Sequence, residues 1–135
     1  METVTLSSRE DKTRLNDALQ DFARIHQLPP AAVQAIDLAL EEHLANIFNY
    51  GFEPGDRPEV VVRMEHSHTD FVVEVSDNGK PFNPLDHPEP DLNQPLEERP
   101  IGGLGIHLIR KFVDQLAYRR DAGRNILTLR KRAAN

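Results

Sequence analysis

The chain has no cysteine and no tryptophan. The first absence excludes a disulfide framework and thiolate metal sites, and it suits a cytoplasmic protein. No apolar run approaches the roughly eighteen residues that cross a bilayer, and no basic-then-apolar signal pattern opens the chain, so neither a membrane partner nor export is expected. Aromatic residues make up only 6% of the 135 positions. They do not interleave with the basic residues as a base-stacking platform requires, so direct nucleic-acid binding is not expected either.

What is present describes one globular domain, 1–135, with 39% hydrophobic and 28% charged residues around a single core. The net charge of −6 is unevenly spread. Residues 110–135 carry eight of the sixteen basic side chains but only two of the twenty-two acidic ones. This basic end reads as the solvated faces of a helix and two strands.

The order of elements follows from periodicity. Met1 to Leu6 alternates as a short strand, suited to a sheet edge or to exchange between subunits. Ser7 and Glu10 have capping-box spacing, and Leu15, Leu19, Phe22 and Ile25 recur at helical intervals, predicting a helix over 8–27. Leu28-Pro29-Pro30 breaks it and opens a second helix over 30–50, with a stripe of Val33, Ile36, Leu40, Leu44 and Ile47. Strands are predicted at 59–66 and 70–77 around a Ser67–Thr69 turn. A third helix spans about 103–115, and a closing hairpin turns at Ala122-Gly123. His66 and His68 fall at the first hairpin's tip and read as turn residues.

Three features carry chemistry. Asp77 ends an apolar strand as a fixed acceptor, and Gly79 lets a flat ligand approach the backbone closely. Six of the ten prolines fall between 81 and 100, in a loop long enough to serve as a lid, about 80–101. Gly102, Gly103 and Gly105 then open a helix, where bare backbone N–H groups and the helix dipole suit an anion such as phosphate. The third feature is Glu42 and Asn46, four apart and so on one helix face. A carboxylate can activate a nucleophile there, and a carboxamide offers a hard oxygen to Mg²⁺.

The ordered set Glu42-His43-Leu44-Ala45-Asn46, Asp77-Asn78-Gly79-Lys80-Pro81-Phe82 and Gly102-Gly103-Leu104-Gly105-Ile106 resembles the N box and two glycine boxes of the Bergerat-fold (GHKL) ATPases. That superfamily includes histidine kinases, gyrase and MutL. The compact size and the GGLGIHLIRKFVD run look most like the anti-sigma-factor serine kinases.

The resemblance implies an α/β two-layer sandwich: an antiparallel-rich mixed sheet with three helices on one face and an ATP lid. It implies ATP as substrate with Mg²⁺ held by Asn46, and Glu42 as general base. Asp77 would accept from the adenine amine with Gly79 shaping the pocket. Gly102, Gly103, Leu104 and Gly105 would bind phosphates, and Arg99 would reach the γ-phosphate or a partner. It further implies a homodimer that binds a sigma-factor-like protein and phosphorylates a serine on a small anti-sigma antagonist. A histidine-kinase-type domain acting in trans, or an ATP-gated binding module without catalysis, are the alternatives. The sequence departs from the family pattern at Pro81, where a glycine is usual. Asn125 is the nearest match to a threonine near adenine, and His43 reads as a satisfied surface or core residue.

Overall fold

The computed structural model describes residues 1–86 and 109–133. Five strands are formed: β1 (Glu2–Leu6), β2 (Val60–His66), β3 (Asp70–Asp77), β4 (Gln115–Asp121) and β5 (Arg124–Arg132). They make one sheet in the order β1-β2-β3-β5-β4. Every pairing is antiparallel, so the sheet expected to be mixed is antiparallel throughout the described residues. Two helices, α1 (Lys12–Ile25) and α2 (Pro30–Tyr50), pack on the sheet. Helix follows at 109–112. The remainder of the expected third helix, and the lid from residue 87 onward, lie outside the described residues.

Helix α1 begins later than its periodicity suggests. A 3₁₀ turn, Arg9–Asp11, precedes it. The tighter turn brings Asp11, not Glu10, back over the incoming chain. Its carboxylate accepts from the backbone N–H groups of Ser7 at 2.8 Å and Ser8 at 3.3 Å. The Ser7 N–H above all holds the Asp11 carboxyl below the usual carboxylate range. At the other end Gln27 takes a left-handed φ of 52°, and the Leu28 N–H reaches back to the Ala23 carbonyl at 3.0 Å. That closes α1 and frees Pro30 to start α2, where a missing N–H costs nothing.

The core follows from the strand period. Val60, Val62 and Met64 of β2, Phe71, Val73 and Val75 of β3, and Leu127 and Leu129 of β5 are buried on alternate positions. They meet Leu15, Leu19 and Phe22 of α1 and Ile36, Leu40, Leu44 and Ile47 of α2 in one continuous cluster. Edge strand β1 adds Val4 and Leu6 through its pairing with β2, where Val4 sits opposite Val62. Ala122 and Gly123, both at positive φ, turn β4 into β5.

The basic end is largely spoken for internally. Arg124 bonds Ser76 Oγ at 2.6 Å and Glu59 at 2.9 Å, and Arg130 bonds Asp70 at 2.8 Å. These side chains stitch β5 to β3 and to Glu59, where the sequence suggested solvated strand faces.

Candidate functional site

Among the described residues the buried polar or charged side chains are His43, Asp77 and Asn125. Each occupies a position that its element otherwise gives to the core. Asp77 continues the buried 71-73-75 phase of β3, and Asn125 the 127-129 phase of β5. His43 continues the Ile36, Leu40, Ile47 stripe of α2. The apolar core therefore gives way to a polar end where these elements meet. A cavity of about 210 Å³ opens there, lined by His43, Asn46, Ile47, Tyr50, Gly51, Asp77, Lys80, Pro81, Phe82 and Asn125. That volume suits a flat heterocycle with the rest of a larger ligand projecting outward.

Register makes the acceptor. Asp77 pairs directly with Asn125 across β3 and β5. One carboxylate oxygen, Oδ1, accepts from Asn125 Nδ2 at 3.0 Å and from the Gly79 N–H at 2.9 Å. Among the described residues no donor is directed at Oδ2. One oxygen thus fixes the carboxylate and the other carries no bond from the described residues.

Asn125 is engaged on every side. Its Nδ2 also donates to the Lys80 carbonyl at 2.7 Å, while its Oδ1 accepts from the Phe82 N–H at 3.1 Å and the Tyr118 hydroxyl at 2.6 Å. The carbonyl before Pro81 and the N–H after it are both held, so the proline, which has no N–H to satisfy, sits at the crest of a pinned loop.

Gly79 is required by proximity. A Cβ there would lie 2.9 Å from Asp77 Oδ1 and 2.9 Å from the Gly51 carbonyl oxygen. That carbonyl accepts from the Lys80 N–H at 2.9 Å, joining the end of α2 to the end of β3. Arg120 holds the Gly79 carbonyl from the other side at 3.0 Å. Lys80 and Glu53 form an exposed ion pair nearby.

Of the residues expected to act, Asn46, Asp77, Gly79 and Asn125 meet at this one place. Asn46 faces the cavity with its Nδ2 buried and unbonded. Glu42 lies one turn earlier on α2, half-buried and outside the cavity lining. Arg99, Gly102, Gly103, Leu104 and Gly105 lie outside the described residues.

His43 departs from expectation. It is 3% exposed, and neither ring nitrogen has a partner. Burial lowers its pKa to about 4, keeping it neutral near pH 7. Sequence reasoning also gave no role to Tyr50 and Tyr118, and it named Lys80 and Phe82 only as members of the first glycine box. The signal for His43 was available in its spacing, three residues after Leu40 and four before Ile47. For Tyr118 none was, because its role depends on a cross-strand diagonal.

A family model for the histidine kinase-like ATPase domain matches residues 6–131. The chain belongs to this family, within the GHKL superfamily. Among curated relatives, the serine/threonine-protein kinase BtrW of Bordetella bronchiseptica is 30% identical over 99 residues, covering 73% of this chain and 70% of its own. The serine-protein kinase RsbW of Bacillus mycoides is 26% identical over 104 residues, 70% of this chain and 61% of its own. The fold matches the histidine kinase domain of the Erythrobacter litoralis EL346 blue-light activated histidine kinase, with a TM-score of 0.55 at 19% identity. That match covers 76% of this chain and 45% of the other. Acinetobacter baumannii histidine kinase AdeS gives a TM-score of 0.52 at 14% identity over 100% and 69% of the two chains. The stretch matched covers about 61% of the length of that RsbW.

Proposed function

We propose that this chain is an ATP-dependent protein serine kinase that acts as a regulatory switch, binding a sigma-factor-like partner and phosphorylating a small antagonist of the anti-sigma type. The observation that carries the reading is the Asp77 carboxylate: buried at a core position, anchored through Oδ1, and open through Oδ2 into a cavity sized for a heterocycle. The kinase names of the relatives support the reaction type.

The residues present fit Mg²⁺-ATP. A Cβ at Gly79 would press on Asp77 Oδ1 and the Gly51 carbonyl, so the bare backbone there keeps the acceptor in place, and Asn46 keeps an unbonded amide nitrogen at the cavity wall. Asp77 Oδ2 accepts from the exocyclic amine, and Asn125 and the Gly79 N–H keep that oxygen aimed. Asn46 offers its amide oxygen to the metal. Bound Mg²⁺-ATP supplies the transferable phosphoryl group and the charge neutralisation. Glu42 takes the proton from the substrate hydroxyl. Gly102, Gly103, Leu104, Gly105 and Arg99 hold the phosphates. A homodimer completes the assembly, and light scattering reads its mass directly.

Titration calorimetry with ATP and Mg²⁺ tests the pocket. Asp77→Asn turns an acceptor toward a mixed donor and acceptor, and ATP binding is expected to be lost. Glu42→Ala is expected to bind ATP normally and transfer nothing. Normal ATP binding by Asp77→Asn would overturn the pocket assignment. Acid-stable phosphate on a captured protein partner supports the serine kinase, and acid-labile phosphate points instead to a histidine acceptor. ATP-dependent partner binding with no transferred label identifies a binding module.

A further inference from the structure

The cavity holds one buried polar group for which ATP-site geometry so far gives no use. Asp77 and Asn125 bond each other and their surroundings. His43, on the α2 wall of the same cavity, bonds nothing. Native interiors rarely leave such groups without partners, because an unmade bond costs the full desolvation of the group. A leucine would continue the stripe at position 43 without that cost. The neutral imidazole presents one N–H donor and one bare nitrogen acceptor.

We infer that His43 is a base-reading residue, donating from its imidazole N–H, directly or across one water, to the ring nitrogen beside the exocyclic amine of a purine held by Asp77. The inference rests on the ATP reading above and adds a specificity contact to it. Asp77 Oδ2 is an acceptor on the β3 wall and takes the amine. The neighbouring ring nitrogen of adenine is itself an acceptor and needs a donor. Asn125 has none to give, since both directions of its Nδ2 are used within the protein. Two buried donors on the cavity wall are unspent, Asn46 Nδ2 and the His43 ring N–H; Asn46 is the residue assigned to the metal, which leaves His43 for the base. The same residue accounts for a stability penalty in the ligand-free protein that binding removes.

The probe is 1-deaza-ATP, in which that ring nitrogen is a C–H, compared with ATP by calorimetry. The wild type is expected to bind ATP about tenfold more tightly than 1-deaza-ATP, the worth of one hydrogen bond. His43→Leu is expected to lose about tenfold for ATP and nothing for 1-deaza-ATP, so that the two become equal. The ligand-free Tm of His43→Leu should rise, because the buried unbonded imidazole is gone. A merely structural histidine would not produce that pairing of higher stability with lost discrimination. His43→Gln, which keeps a donor, should recover part of the discrimination. An undiminished ATP to 1-deaza-ATP ratio in His43→Leu overturns the inference, as does a wild type that binds both equally well. A wild type that binds neither instead overturns the ATP reading of the cavity.

Discussion

At the scale of single residues, the site is built from polar side chains placed where the fold expects apolar ones, and this has a measurable acid signature. His43 has a folded-state pKa of about 4 against an ordinary 6.5, because burial disfavours its charged form. The unfolded chain therefore binds the proton first as pH falls. This titration costs nothing above pH 6.5 and removes about 3 kcal/mol of stability between about 6.5 and 4, where only the unfolded chain takes up the proton. Denaturant unfolding across this window should show the wild type losing that much more stability than His43→Leu. Below it, the two curves should run parallel, since the Asp11 and Asp114 carboxyls, held low chiefly by the Ser7 and Arg132 N–H groups, titrate in both proteins. Asn125 makes the complementary case. Asn125→Ala removes one of the two donors to Asp77 Oδ1 and the acceptor of the Tyr118 hydroxyl together. A stability loss of about 2 kcal/mol is expected, with weaker ATP binding because Asp77 is no longer aimed. Equilibrium unfolding and calorimetry on this one variant read the two effects separately.

At the scale of elements, α2 and β3 are placed against each other by a meeting of two glycines. The Gly51 carbonyl ends α2, the Gly79 backbone follows β3, and the Lys80 N–H bridges them at 2.9 Å. Backbone occupies both sides of that contact, so an added methyl has nowhere to go. Gly79→Ala is expected to cost about 1–3 kcal/mol by displacing one element from the other. It should also weaken ATP binding, because the N–H that fixes Asp77 moves with it. A thermal melt and an ATP titration check both, and unchanged values would mean that the ends of α2 and β3 are free to separate. The elements were legible in sequence wherever one period dominated: α2 emerges at 30–50 as its stripe and prolines indicated, and the hairpin strands match to within a residue. The start of α1 was not legible, because Ser7, Ser8, Glu10 and Asp11 admit more than one cap and only the turn's pitch chooses. The Tyr118–Asn125 bond was equally hidden. It joins residues on paired strands that are two register steps apart, a relation that pattern alone does not give.

At the scale of the whole molecule, the sheet has at one margin a strand held by a single neighbour, β1 on β2. Strand β1 is five residues long, yet Val4 and Leu6 are 4% and 0% exposed, and the strand pairs with β2 along Val60–Met64. Burying a valine and a leucine is worth about 1.5–3 kcal/mol each. Their loss would remove a large part of the 5–15 kcal/mol typical of a domain this size. The second consequence is geometric. Removing residues 1–6 uncovers the β2 edge, whose unpaired N–H and C=O groups sit among Val60, Val62 and Met64. A truncated chain is therefore expected to unfold at much lower denaturant and to self-associate through β2, visible as a concentration-dependent mass in light scattering. A peptide of sequence METVTL added in trans should restore both the mass of the intact chain and its midpoint, since it supplies the missing edge without altering any other residue. Should the truncated chain stay as stable and as small as the intact one, β1 would be an appendage, and the core that holds Asp77 in place would have to be sustained by β2 to β5 and the helices alone.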